Sequence, residues 1–121
     1  MEYWKQVAMD RLAEYARLRA AADSMEAELA LCPTTGDLNT GMFRAELTAR
    51  LERAATVTKQ VGAALAQLEP EDRTVLELLC IRPRRGNVDR LCSLLEREKT
   101  TIYRRRDAAL RRFTRALLAV S

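Results

Sequence analysis

The chain of 121 residues contains no histidine, and it has few glycines, prolines, cysteines and aromatic residues. The lack of histidine excludes every enzyme that uses an imidazole as a base or as a metal ligand. With only 4 Gly, 3 Pro and 5% aromatic residues, a sheet of many short strands is disfavoured, because such a sheet needs turn residues at frequent intervals. Its 3 cysteines include no CxxC spacing and offer no familiar zinc site. We therefore expect no metal, no cofactor and no enzymatic activity.

Long apolar runs are missing as well. No stretch of about 18 apolar residues is present, so no segment is predicted to span a membrane. The N-terminal sequence Met-Glu-Tyr-Trp-Lys continues as a charged amphipathic stretch, which is not the pattern of a signal peptide. Cys32, Cys80 and Cys92 form an odd set at apolar positions. We expect a cytoplasmic protein in which these cysteines stay reduced and act as small hydrophobic side chains.

Helix-forming residues are abundant: Ala, Leu, Glu, Lys and Arg make up 69 of the 121 residues. Such a share is typical of long helices when a period of about 3.5 residues accompanies it. Alanine is frequent up to Ala66 and then missing until Ala108, and this change falls at Glu69-Pro70. We place a domain boundary there, with a helical hairpin at residues 1–69 and a C-terminal domain at residues 70–121.

The first of these regions carries two apolar stripes at helical spacing. In residues 3–31 the spacing alternates between four and three, with Arg11 as an interruption and Leu12 beside it. The members of this stripe are Trp4, Ala8, Tyr15, Leu18, Ala22, Met25, Leu29 and Cys32. After a loop with Pro33, Gly36 and Gly41, a second helix is predicted from about residue 42 to residue 68. Its stripe consists of Leu47, Leu51, Ala54, Thr58, Val61, Leu65 and Leu68, widened by Phe43 and Val57.

Two long helices joined by a short loop are expected to fold back as an antiparallel hairpin. Such a hairpin buries only one stripe per helix, which gives little independent stability. Two alternatives remain open: the hairpin packs on the C-terminal half, or it pairs with a second copy. We favour a homodimer formed through residues 1–69. Trp4 and Tyr15 lie on the stripe and are expected to be core residues rather than ligand contacts.

The C-terminal half is predicted to form three helices. They run from residue 70 to about 82, from 88 to 95 with Asn87 as the N-cap, and from 99 to about 119. Inward positions are assigned to Val75, Leu76, Leu79, Cys80, Val88, Leu91, Cys92, Leu95, Ile102, Ala109, Leu110, Phe113 and Leu117. A short helix, a tight turn near residues 96–98 and a longer basic helix are typical of a helix-turn-helix. The sequence thus predicts an all-α protein, with a long antiparallel helical hairpin (coiled coil) followed by a three-helix helix-turn-helix domain.

Segments 68–79, 88–95 and 100–110 resemble the helix-turn-helix of bacterial sigma factor region four, which reads the −35 promoter element. The sequence Thr101-Ile-Tyr-Arg, with Ala109-Leu110 and Phe113, is more similar still to phage and prophage late-transcription regulators of the ArpU type. Those proteins also place a long helical hairpin before this domain. In the family the positions of Glu96 and Glu98 are usually Gly and Ser. The resemblance implies double-stranded DNA as the partner, and RNA polymerase is a further candidate partner.

Basic charge is concentrated in the same half. Residues 1–69 carry a net charge of −2, whereas residues 70–121 carry +6. Such a basic half points to a polyanion, usually nucleic acid, with a merely solvated helix face as the alternative.

The last predicted helix holds the candidate DNA contacts. When its residues are placed at steps of about 100° around Ile102, Thr100 and Arg104 point away from the domain. Because the first two turns of a recognition helix reach base edges, the candidates for base reading are Thr100, Thr101, Tyr103 and Arg104. The candidates for phosphate contacts are Arg84, Arg85, Arg97, Lys99, Arg105 and Arg111. Arg106 faces the domain and is expected to pack its stem and to pair its head with an acid such as Glu77 or Asp72.

These observations favour a phage or prophage transcription regulator that binds DNA. Two alternatives remain open. A small terminase subunit, which packages DNA, also joins a helix-turn-helix to oligomerising helices, and it would form a ring. A helical module that binds RNA polymerase or a sigma-type partner would need no DNA at all.

Overall fold

A computed structural model describes residues 2–34 and 36–120 of the protein. In this part of the chain it is all-α, with a long antiparallel pair, α1 (Tyr3–Leu31) and α2 (Leu38–Ala66), followed by three shorter helices. These are α3 (Pro70–Leu76), which continues as a π-helical turn (Glu77–Ile81), α4 (Asn87–Leu95) and α5 (Lys99–Val120). The predicted fold class is confirmed. None of the described helices has the length and apolar character needed to cross a bilayer.

The stripe of α1 faces α2 as predicted, with Leu12 taking the place that Arg11 interrupts. Leu12 is fully buried and Arg11 is exposed. Trp4 and Tyr15 are half-buried and pack against the core, as expected. Phe43 was expected to widen the stripe of α2, but it is exposed. It lies level with the end of α1, where no further turn of that helix is present to cover it.

The second helix begins at Leu38, earlier than the predicted start near residue 42. The reason is Asp37, whose carboxylate accepts a hydrogen bond from the backbone N–H of Thr40 at 2.9 Å and so caps the helix. The same hydrogen bond lowers the pKa of Asp37. Gly41, assigned to the loop, is therefore helical. Thr35, which the predicted loop includes, lies outside the described residues.

The base of the hairpin packs on the C-terminal helices in one continuous core. Its buried members are Ala8, Leu12, Val61, Ala64, Leu68, Leu76, Cys80, Ile81, Ala109, Leu110, Phe113 and Ala116. Of the two alternatives for the hairpin, packing on its own C-terminal half is the arrangement at this end, and the core crosses the position of Glu69-Pro70. Burial raises the pKa of the Cys80 thiol to about 11, so this cysteine is protonated at neutral pH.

A second, smaller core consists of Val75, Leu91 and Ile102, one residue each from α3, α4 and α5. It holds the first turns of α5 against the two preceding helices, whereas the later turns pack on the hairpin through Ala109 and Phe113. Since α5 is one continuous helix, it belongs to both cores.

Candidate nucleic-acid interface

The link between α3 and α4 differs from its prediction at Asn87. The N-cap position of α4 is taken by Gly86, whose φ of +87° is in the left-handed region that favours glycine. Asn87 is instead the first helical residue and is buried. Its side-chain amide donates hydrogen bonds to the carbonyl oxygens of Leu78, at 2.8 Å, and Arg82, at 3.3 Å. The predicted capping role is therefore wrong, because open carbonyls at the end of the π-helical turn engage this amide.

A tight turn joins α4 to α5 through Glu96, the one described non-glycine residue with a positive φ, at +52°. The left-handed conformation lets the backbone N–H of Arg97 reach the carbonyl of Cys92 at 3.1 Å and close the last turn of α4. A residue with a Cβ atom pays about 1 kcal/mol for this conformation. The turn therefore has a backbone conformation that favours glycine, although a glutamate occupies it.

The four candidates for base reading lie on the first two turns of α5. Thr100, Thr101, Tyr103 and Arg104 are all exposed, while Ile102 between them is fully buried. In the described part of the chain Arg104 has no ion-pair partner. The guanidinium of Arg106 lies over the ring of Tyr103, 5.3 Å from its centroid. This row of side chains is available to a ligand, and its contact with bases stays a prediction.

Four of the six phosphate candidates are exposed in the segments that lead into α4 and α5. Arg84 and Arg85 lie in the loop before α4, and Arg97 lies in the turn before α5. None of these three forms an ion pair within residues 2–34 and 36–120. Lys99 lies 3.7 Å from Asp89, and both side chains remain exposed to solvent, so this pair is weak.

Arg105 is engaged inside the domain. Its Nε donates to the carboxylate of Asp72 at 3.0 Å, and its Nη2 lies 3.4 Å from the carboxylate of Glu71 and 3.7 Å from that of Glu69. Asp72 is completely buried and also accepts a hydrogen bond of 2.7 Å from Arg112. A buried carboxylate needs such partners, since burial without them would cost several kcal/mol.

Arg106 pairs with an acid, as expected, but that acid is Asp107 and neither of the two named examples, Asp72 and Glu77. Its guanidinium donates to Asp107 at 3.1 Å, while Glu77 pairs with Arg82. The reason is helix geometry. Arg105 and Arg112 are seven residues apart and share one face of α5, which is the face toward α3. Arg106 lies about 100° further around the helix. Its partial burial agrees with the expected inward position.

Asp107 connects α5 to the first turn of α1. Its second carboxylate oxygen accepts a hydrogen bond of 3.1 Å from Lys5. Partial burial alone would raise the pKa of Asp107, but the hydrogen bonds from Lys5 and Arg106 outweigh burial, and the pKa lies below its usual value. Asp107, Arg106 and Tyr103 therefore form a chain of contacts that begins at α1.

Arg111, the last phosphate candidate, lies beside the same turn of α1. Its guanidinium carbon is 5.9 Å from the ring centroid of Trp4, and its side chain is exposed. Arg111 and Arg105 thus each have a contact within the protein. Of the other four phosphate candidates, only Lys99 has an ion pair within the described residues, and that pair is weak.

Sequence reasoning missed two contributors to this end of the molecule. The pairing of Asp72 with Arg112 had one detectable signal, namely an acidic residue in the first turn of α3 among inward positions. The contact between Lys5 and Asp107 had none, because it depends on how the hairpin docks. Comparisons of the chain with protein-family models, with curated proteins and with solved structures find no match.

Proposed function

We propose that this chain is a duplex-DNA-binding transcription regulator, and not an enzyme, that reads the major groove with the first two turns of α5. The observation that carries the proposal is the exposed row Thr100, Thr101, Tyr103 and Arg104 opposite buried Ile102. Arginine offers a bidentate fork to guanine, and threonine and tyrosine contact thymine or donate hydrogen bonds. The resemblance to phage and prophage regulators of the ArpU type supports the same function.

Within this proposal the phosphate contacts come first from Arg84, Arg85, Arg97 and Lys99. Arg105 and Arg111 contribute less, because each already has a partner in the protein. Four contacts predict a slope of log K against log salt of about −4 for each domain. RNA polymerase, a further partner suggested by the resemblance, would act after the DNA is bound.

We also propose that two copies associate through residues 1–69. The support is the upper hairpin, where Leu18, Met25 and Leu29 of α1 are only half-buried. A dimer would present two copies of α5 to two half-sites. Sedimentation equilibrium of the full chain tests this: a monomer at high micromolar concentration overturns the dimer. A ring of eight or more subunits would instead favour a small terminase subunit.

The DNA proposal is tested by selecting bound sites from a random duplex pool and measuring affinity for the selected and random duplexes. Arg104→Ala should cost about 1–3 kcal/mol on the selected site and relax the choice of one base. Arg84→Ala should weaken binding to both duplexes about equally and make the salt slope shallower by about 1. Arg53→Ala is the matched control, because Arg53 is also an exposed arginine but lies on α2.

The absence of duplex binding at low salt would reject the proposal and favour a protein-interaction module. Equal losses on both duplexes for Arg104→Ala would reject the placement of α5 in the groove.

A further inference from the structure

The end of the hairpin remote from α5 exposes a group of large apolar side chains. We define the hairpin tip as the described residues 28–34 and 36–43. It contains Leu31, Leu38, Met42 and Phe43, whose exposed fractions are 86%, 78%, 62% and 55%. Elsewhere in the described chain, Tyr3 and Val7 are exposed one turn apart on α1, and Leu94, Tyr103 and Leu118 are exposed singly on α4 and α5. Single exposed residues are ordinary, but a group of them marks an interaction site.

The hairpin tip has a defined shape. A depression of about 500 Å³ lies between the end of α1 and the start of α2. Its walls include Glu28, Leu31, Cys32, Pro33, Asp37 and Phe43. Arg44 fixes the frame by donating hydrogen bonds to the carbonyl oxygens of Leu29, at 3.3 Å, and Cys32, at 3.1 Å. The cap from Asp37 to Thr40 fixes the other side. The depression is therefore a formed groove, which lowers the ordering cost of binding.

The charge around the hairpin tip is opposite to that of the chain as a whole. The hairpin tip carries the acids Glu28 and Asp37 and no Lys or Arg, whereas the net charge of the protein is +4. Arg44, the next residue, is half-buried and donates its hydrogen bonds to the carbonyl oxygens of Leu29 and Cys32. DNA phosphates are repelled from an acidic surface, and two tips in contact would bring their acids to one interface. The charge therefore favours a basic occupant that is neither DNA nor a second tip.

The hairpin tip also lies far from the candidate DNA interface. Lys5, in the first turn of α1, contacts Asp107 of α5. The 29 residues of α1 span about 43 Å at 1.5 Å per residue. An occupant of the tip thus has room beside a bound duplex.

We propose that the hairpin tip docks a partner protein through a segment that carries apolar side chains flanked by lysines or arginines. Leu31, Phe43 and their neighbours receive the apolar side chains, and Glu28 faces the basic ones. The proposal goes beyond DNA binding and does not depend on it.

The test uses the full chain and a library of random 16-residue peptides displayed on yeast, with counter-selection against a Leu31→Ser and Phe43→Ser double variant. We expect enriched peptides to combine large apolar residues with a net positive charge. One enriched peptide, synthesised with a fluorophore, then gives affinities by anisotropy. Leu31→Ser and Phe43→Ser should each weaken its binding at least tenfold, and Glu28→Lys several-fold. Leu118→Ser is the matched control, because Leu118 is also a leucine with 73% exposure but lies on α5.

Exposed positions are chosen so that the variants fold, and circular dichroism together with an unchanged midpoint of urea unfolding checks this. The proposal is overturned if no peptide is enriched, if the enriched peptides are acidic, or if Leu118→Ser weakens binding as much as Leu31→Ser does. Concentration-dependent self-association that only the tip variants abolish would assign the surface to a second copy and also overturn it. If the wild-type chain does not bind duplex DNA, the DNA proposal is rejected, whereas the proposal for the hairpin tip is unaffected.

Discussion

The two ends of the hairpin are built differently. At its base, Ala8, Leu12, Val61 and Ala64 are buried in a core shared with α5 and the α3 segment. Beyond Leu12, the described part of α1 contains no buried residue, and α2 contributes only Leu47 and Ala54 to the upper half. One seam between two helices cannot exclude water on its own, because each helix is covered on one side only.

The difference shows that the buried core and the exposed apolar surface lie at opposite ends of one pair of helices. The base holds the chain together, while the upper half keeps apolar side chains such as Leu31 and Met42 in contact with water. Burial, rather than helix propensity, distinguishes the two ends, since both have the same Ala-rich and Leu-rich composition.

The strongest test of the difference between the two ends is to shorten one leucine at each end of α1. Leu12→Ala should lower the free energy of unfolding by about 3 kcal/mol, because a fully buried leucine leaves a cavity. Leu29→Ala should cost about 1 kcal/mol or less, because Leu29 is half-buried and solvent fills its place. Urea denaturation followed by circular dichroism measures both values. Equal losses would show that the upper seam is as well packed as the base.

Charge pairs sharpen the same contrast. Asp72→Asn should destabilise the protein by about 2 kcal/mol, because Arg105 and Arg112 lose a fully buried partner. The two arginines keep partial access to water, which holds the cost below that of a fully buried pair. In the upper half, Glu46→Gln removes an exposed pair with Arg50 and should change stability by less than about 0.5 kcal/mol. Chemical denaturation at low and high salt distinguishes the two pairs, and similar effects would contradict the prediction.

A smaller effect, of opposite sign, is expected at the turn before α5. Glu96→Gly should stabilise the protein by about 0.5 kcal/mol, because glycine adopts the φ of +52° without strain but gains freedom in the unfolded chain. Gly86→Ala is the reverse control and should destabilise by about 1 kcal/mol, because its φ is +87°. Thermal unfolding measures both. A loss of stability in Glu96→Gly would show that the glutamate side chain itself supports the turn.

The smallest expected effect concerns the contact between α1 and α5. The pKa of Asp107 is lowered from its ordinary 3.8, so its ion pairs stabilise the fold above about pH 4 and are lost as the pH falls through the folded-state pKa. Asp107→Asn should therefore be less stable than wild type at pH 6, and the difference should shrink toward pH 2. Unfolding in urea at both pH values measures this. A difference that is independent of pH would mean that Asp107 acts through packing alone.

The helices and their inward faces followed from the sequence, because a period of about 3.5 residues and the breaks at Pro33 and Pro70 are local signals. Two side-chain hydrogen bonds that change where a helix begins were not predicted. Asp37 extended α2 by its capping hydrogen bond, and Asn87 turned to the carbonyl groups of another helix instead of capping its own.

At the candidate site the exposed row on α5 followed from helical steps around Ile102, whereas the state of each arginine did not. Whether Arg105 is free depends on α3, and whether Arg111 is free depends on α1. Both are contacts between helices that are distant in sequence. A single sequence does not reveal them, because they depend on how the helices pack.

The membership of α5 in two cores has a mechanical consequence. The same 22-residue helix is fixed at its start to α3 and α4 and along its later turns to the hairpin base, with no flexible linker between. The base of the hairpin therefore keeps a fixed direction relative to the row at Thr100 and Arg104. The helix α1 that starts at this base spans about 43 Å, the length of about 13 base pairs at 3.4 Å each. A contact that shifts the base of the hairpin thus shifts α5 with it.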